Sequence, residues 1–138
     1  WVFTVENLPA VLSDLIGGID SSIVILLIIN LLLLVVGCIM ETSAAIMILA
    51  PILLPLVSKF GVNPIHFGLI MVLNLAIGMI TPPVGCNLFV AAGLAKTEFM
   101  RIVRAVLPLL CVMLIGLVAV TYFPPVVLAL PKLLGFVA

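Results

Sequence analysis

Residues 78–87 read "GMITPPVGCN", and the interpretation of this stretch decides how the whole chain is built. It lies within some of the most apolar sequence of the chain, yet it contains two consecutive prolines, Pro82 and Pro83. In an α-helix each amide bonds the carbonyl four positions earlier, and proline has no amide hydrogen. A helix carried through this stretch therefore leaves the carbonyls of Gly78 and Met79 without their usual partners. A new helix starting near Val84 exposes the first-turn amides around Gly85, Cys86 and Asn87. Such a break makes two opposite sites: carbonyl oxygens that suit a hard cation such as sodium, and a helix N-terminus that suits a carboxylate. The competing interpretation is an ordinary loop between two short spans. Arms over 65–80 and 84–95 reach only about 24 and 18 Å, each less than a ~30 Å hydrocarbon layer, which favours one broken, tilted span. Discontinuous helices that meet in the bilayer are a recurring device of secondary-transporter sites.

The composition supplies the membrane. The 138 residues are 67% hydrophobic and 7% charged, with five basic and five acidic side chains. A water-soluble domain carries roughly a quarter charged residues. Residues 21–40, "SSIVILLIINLLLLVVGCIM", are 20 uncharged positions, enough for one complete transmembrane helix. The formal net charge of +0 offers no basic face for nucleic acid and no lysine-rich amphipathic stretch for peripheral membrane binding. Cys38, Cys86 and Cys111 are single and widely spaced, which predicts buried small hydrophobes rather than a zinc or redox motif. The chain opens on Trp1, and the expectation is a part of a longer polypeptide.

Around the break the sequence predicts an all-α polytopic membrane protein. Residues 1–20 read as the end of a preceding element and a loop, and 21–41 as a transmembrane helix ending at Glu41. Residues 42–60 are apolar but divided by Pro51 and Pro55, which predicts a re-entrant hairpin with its tip near Ala50 and Pro51; a single kinked span is the alternative. The broken transmembrane helix occupies 61–96. An amphipathic connector follows at 97–105, capped by Thr97, and a C-terminal transmembrane helix and tail fill 106–138. Lys96, Arg101 and Arg104 are three of the five basic residues, so the positive-inside bias places the loop 96–104 in the cytoplasm and the C-terminus on the far, periplasmic side.

Single polar residues carry the remaining chemistry. Glu41 is expected to cap the amides of Thr42 to Ala44, or else to act as a proton or sodium ligand. Asn30, in mid-span, is expected to bond a neighbouring helix, and Asn74 either to do the same or to line a pocket. The sole histidine, His66, follows the Asn63-Pro64 turn and is expected at the interface. One histidine at a loop supplies neither a nucleophile with its base nor a metal pair, so an intramembrane hydrolase, and an enzyme generally, is not expected.

These residues resemble a known family. "FGLIMVLNLAIGMITPPVGCNLFVAAGLAK", preceded by "LAPILLPLVSKFGVNPIHFG", is similar to the C-terminal part of the large membrane subunit (M subunit) of tripartite ATP-independent periplasmic (TRAP) transporters, over roughly 21–110. Its most specific elements are Pro51, Pro55, the turn at 61–68, and Thr81-Pro82-Pro83-Val84-Gly85 followed by Asn87, Leu88 and Phe89. The resemblance implies one half of an inverted-repeat, elevator-type carrier of the bacterial inner membrane. It implies sodium as the coupling ion, no organic cofactor, and an organic acid such as a dicarboxylate or sialic acid, delivered by a periplasmic substrate-binding protein. It also implies a small membrane subunit, separate or fused, and an N-terminal part of the large subunit that completes the site. Carried over by position, sodium would be held near Gly78, Met79, Thr81, Pro82 and Val84 with hairpin-tip backbone at Ala50 and Pro51. Gly85, Cys86, Asn87 and Asn74 would face the substrate. Glu41 stands where the family usually has an aspartate. The residues leave a second function open: a proton-translocating or channel-type subunit that uses Glu41.

Overall fold

The computed structural model describes residues 22–133, so the readings made for 1–20 and for the tail at 134–138 lie outside the described residues. Six α-helices follow one another there: α1 (Ser22–Ile39), α2 (Thr42–Lys59), α3 (Pro64–Gly78), α4 (Cys86–Ala95), α5 (Phe99–Tyr122) and α6 (Pro124–Leu133). Among the described residues there is no strand. Of these helices α1, α2 and α5 are long and apolar enough to cross a membrane. With 15 and 10 residues, α3 and α4 reach about 22 and 15 Å and are individually too short.

Helix α3 is the centre of the fold and packs against α1, α2, α5 and α6. Positions four apart make the joint: Ile25, Ile29 and Leu33 of α1 meet Phe67, Met71 and Leu75 of α3, and Leu53, Leu56 and Val57 of α2 close the same cluster. A second cluster joins Ile77 of α3 to Leu110 and Leu117 of α5. Hydrogen bonds fix the direction of each helix. At one end, Ser22 Oγ donates to the Phe60 carbonyl (3.5 Å), Tyr122 Oη donates to the Ile23 carbonyl (3.2 Å), and His66 Nε2 meets the Val120 carbonyl (2.8 Å). At the other, Cys38 Sγ donates to the Thr81 carbonyl (3.1 Å) and Thr42 Oγ1 to Met79 Sδ (3.0 Å). Helices α1 and α3 therefore run in the same direction, and α2 and α5 run against them.

The structure corrects the hairpin predicted within 42–60. Helix α2 is continuous through Pro51 and Pro55, and Ala50 and Pro51 are in its middle, not at a tip. The reason is the placement of the rings. Pro51 and Pro55 share the outward face with Met47, Leu54 and Ser58, while Ile52, Leu53, Leu56 and Val57 are buried on the other face. The lost amides cost one backbone bond each, and the packed inner face outweighs that loss. A helical hairpin is present one element earlier, formed by α1 and α2, with its turn at Met40 and Glu41.

Three smaller differences follow from the same local chemistry. The connector predicted at 97–105 and the span from 106 are one helix, α5, which runs through Pro108 and stops at Phe123 before Pro124 opens α6. Its N-cap is Glu98, not Thr97. Of the cysteines expected to be buried, Cys38 is, but Cys86 and Cys111 are exposed on the outer surfaces of α4 and α5.

Helices α1 and α3 meet backbone to backbone at two glycines. A Cβ added at Gly78 would lie 2.7 Å from the Gly37 backbone, and one at Gly37 would lie 2.7 Å from the Leu75 carbonyl oxygen. Small residues let two helix backbones approach closely in membranes. Gly78→Ala and Gly37→Ala are expected to destabilise the full-length protein by about 1–3 kcal/mol through overpacking. Gly116→Ala, with nothing within 4 Å, is expected to be neutral or mildly stabilising. Thermal unfolding of purified variants in detergent compares the three.

Candidate functional site

The break between α3 and α4 spans residues 79–85 and faces the α1–α2 turn. Its internal bonding differs from the sequence expectation. The carbonyls of Gly78 and Met79, predicted to be left open by Pro82 and Pro83, are both satisfied: Gly78 accepts from the Thr81 amide (2.9 Å) and Met79 from the Asn87 amide (3.2 Å). The chain tightens into a three-residue turn after Gly78, and α4 starts close enough to donate backwards. Thr81 Oγ1 adds a bond to the Ile77 carbonyl (2.7 Å), which pins the turn to α3. The open oxygens lie later in the chain. Among the described residues, the carbonyls of Ile80, Pro82, Pro83 and Val84 accept no hydrogen bond.

Gly85 closes the break. Its φ of 44° is left-handed, and an added Cβ would meet the Thr81 carbonyl oxygen at 2.9 Å, so only glycine fits. The amides predicted to receive a carboxylate are also partly committed: that of Asn87 goes to Met79, and that of Leu88 to Gly85 (2.7 Å). Cys86 and Asn87 are exposed, with their side chains on the outer surface of α4. Beside Pro82, Pro83 and Val84 lies a cleft of about 390 Å³ whose other wall is Leu31, Leu34, Val35 and Cys38 of α1. These walls are apolar, and among the described residues no arginine or lysine borders them to neutralise a carboxylate.

The α1–α2 turn is built by Glu41. Its Oε1 accepts from the Ser43 amide (2.9 Å) and Ser43 Oγ (2.9 Å), and its Oε2 from the Ala44 amide (3.1 Å). Both oxygens are thus engaged at the first turn of α2. The partners placed at the break by this turn are Cys38 and Thr42, to which the sequence assigns no role at the break: Cys38 is expected only as a buried small hydrophobe, and Thr42 only as an amide capped by Glu41. The only signal available for them was Glu41 followed by two hydroxyl residues, a helix start. Ala50 and Pro51 are not brought to the break: eight residues of α2, about 12 Å, separate Thr42 from Ala50.

One turn before Gly78, a buried polar chain links three helices. Asn74 Nδ2 donates to Asn30 Oδ1 (2.6 Å) and to the Ile70 carbonyl (2.8 Å), and Asn30 Nδ2 donates to Thr121 Oγ1 (3.1 Å). Two acceptors on the same atom fix which end of the Asn74 amide is nitrogen. Asn74 is 0% exposed and its Oδ1 has no partner, so of its two expected roles the structure shows the bond to a neighbouring helix and not the lining of an open pocket. His66, expected at an interface, is buried at 3% exposure against Val120 of α5. Among the described residues no group of three His, Cys, Asp or Glu side chains could hold a metal, so an ion at the break would be held by main-chain and hydroxyl oxygens.

A helix interrupted between short arms, with the turn of a helical hairpin seated on the interruption, is the class of architecture that secondary transporters use. The chain belongs to the family described as tripartite ATP-independent periplasmic transporter, DctM component, which matches residues 1–126. It is similar to the isethionate TRAP transporter permease protein DctMQ of Oleidesulfovibrio alaskensis, 51% identical over 91% of this chain and 20% of that protein. It is similar also to the C4-dicarboxylate TRAP transporter large permease protein DctM of Pseudomonas aeruginosa, 45% identical over 97% of this chain and 32% of that one. The sialic acid TRAP transporter large permease protein SiaM of Vibrio cholerae is 43% identical over 99% of this chain and 32% of its own length. The chain therefore spans between a fifth and a third of these relatives, all of them named as permeases.

The Asn30–Asn74 bond is expected to contribute to the fit of α1 on α3. A double-mutant cycle with Asn30→Ala and Asn74→Ala, read by unfolding of the full-length protein, should give a coupling of about 0.5–2 kcal/mol. A coupling near zero would remove the chain from the account of how α1 is held.

Proposed function

We propose that this chain is the C-terminal part of the large subunit of a sodium-coupled carrier for an organic acid and holds the second of its two inverted repeats. The observation that carries the proposal is the seating of the Met40–Glu41 turn on the 79–85 break, where the main-chain oxygens of Pro82, Pro83 and Val84 are among those left without donors. Pro82, Pro83 and Val84 fit a sodium ion, because carbonyl oxygens suit a hard cation and water is scarce inside a bilayer. Gly78, Met79 and Thr81 shape that turn, since their own bonds are spent within it. In this reading α1 and α2 enter and leave from one side as the re-entrant hairpin. α3 and α4 together make one broken span, and α5 returns across the membrane. The loop 96–104 then lies in the cytoplasm and the α5–α6 end on the periplasmic side of the inner membrane.

The substrate is an organic acid anion, a carboxylate such as the C4-dicarboxylate or sialic acid named for two relatives or a sulfonate such as the isethionate named for a third. Among the described residues the apolar cleft beside the break carries no cation for it, so its main anchor belongs to the rest of the large subunit. A periplasmic substrate-binding protein would deliver the acid, and a small membrane subunit, separate or fused, would brace the moving part in an elevator-type cycle. Glu41 acts as a helix cap in this account; a role as proton carrier would require it to release three donors.

Proteoliposomes that hold the full-length permease with its small subunit, given binding protein and labelled acid, test this reading. Uptake is expected to follow an imposed sodium gradient and to survive Glu41→Gln. Uptake driven by a proton gradient alone, and abolished by Glu41→Gln, would support the proton-translocating alternative instead.

A further inference from the structure

We propose that the α4–α5 corner is a binding surface for the headgroups of anionic phospholipids, held by Lys96, Arg101 and Arg104. The three cations fall within nine positions, all are exposed, and among the described residues none forms an ion pair. Glu98, exposed between them, offsets one of these charges, and the rest of the described surface carries only isolated charges, so the corner is still its most positive region. The corner is held in shape by stacked rings, Phe89 of α4 and Phe99 of α5, with centroids 4.4 Å apart. The backbone contributes as well: the Thr97 amide bonds the Ala92 carbonyl (3.2 Å), which fixes where Lys96 leaves α4.

The identity of the partner follows from what continues below the charges. Along α5, Arg104 heads a stripe at helical spacing, Leu107, Cys111, Ile115 and Val118, and every member is exposed. Leu94 and Met100, beside the cations, are exposed too. Arginine and lysine lay their aliphatic stems along apolar surface and hold the charged end at the level of the water. A phosphate above acyl chains matches both halves of this surface, whereas an acidic soluble protein would match only the upper one. α5 is long enough to cross the bilayer, and a crossing puts the stripe in the hydrocarbon and the cations at headgroup depth. The proposal needs only that α5 spans, and it does not depend on which ion or acid the protein carries.

Each Lys or Arg near an anionic membrane surface contributes about a five-fold preference. Native mass spectrometry of the full-length permease with its small subunit, in detergent with equal phosphatidylglycerol and phosphatidylcholine, reads that preference directly. The wild type is expected to retain phosphatidylglycerol in clear excess. Lys96→Gln, Arg101→Gln and Arg104→Gln together are expected to reduce the excess at least about ten-fold, and Lys59→Gln, at the opposite end, is expected to leave it unchanged. Equal retention of the two lipids by the wild type, or an excess that survives in the triple variant, overturns the proposal. If the triple variant fails to fold, the wild type alone decides through salt: at about 1 M, where the screening length falls to about 3 Å, the excess must shrink. An excess indifferent to salt overturns it. Millimolar inorganic phosphate is expected not to displace the lipid; complete displacement would show that the apolar stripe contributes nothing and would overturn the lipid assignment.

Discussion

The approach of Gly37 to Gly78 is the contact on which the rest of the arrangement depends. With no Cβ on either side, the last turns of α1 and α3 touch backbone to backbone. That contact puts Cys38 within reach of Thr81 and Thr42 within reach of Met79, and so seats the hairpin turn on the break. Burial of Leu33, Leu75 and their neighbours drives the helices together. The glycines set how near they come. A methyl group at either position would open the joint by the distance over which these hydrogen bonds operate.

Below this joint, the Asn74–Asn30–Thr121 chain fixes rotation and register among α1, α3 and α5. Apolar stripes on α1, α3 and α5 could slide by a turn with little loss, because leucine against isoleucine is much the same one turn along. Amides are less forgiving, because a slipped register leaves buried donors and acceptors unpaired. The chain is not fully closed, since Asn74 Oδ1 is left without a partner. That atom sits one turn from the break, within the part of α3 whose geometry matters most to it.

Where chemistry is local, the amino-acid sequence is a good guide; where it depends on what folds back, it is a poor one. Pro82 and Pro83 announce the end of α3, and Glu41 announces the start of α2, because both effects act within one helical turn. Which carbonyls remain open at the break is not local. It depends on the Thr81 amide turning back to Gly78 and on α4 returning its Asn87 amide to Met79. Pro51 and Pro55 mislead for a related reason. A proline pair four apart looks like a bend from the sequence, but its effect depends on whether the rings face the core or the outside, and here they face outside. His66 and Asn74 show the same limit, since a polar residue in an apolar segment does not say which helix it will meet.

The central claim is that the hairpin turn and the helix break meet within the bilayer and form an ion site between them. Spin labels at positions 42 and 84 of the full-length permease in lipid nanodiscs, read by power saturation, give the depth of each. The account predicts similar depths for both, inside the ~30 Å hydrocarbon layer yet accessible to a water-soluble relaxant. Labels at the headgroup surface, or at depths differing by more than about a third of that layer, would contradict it.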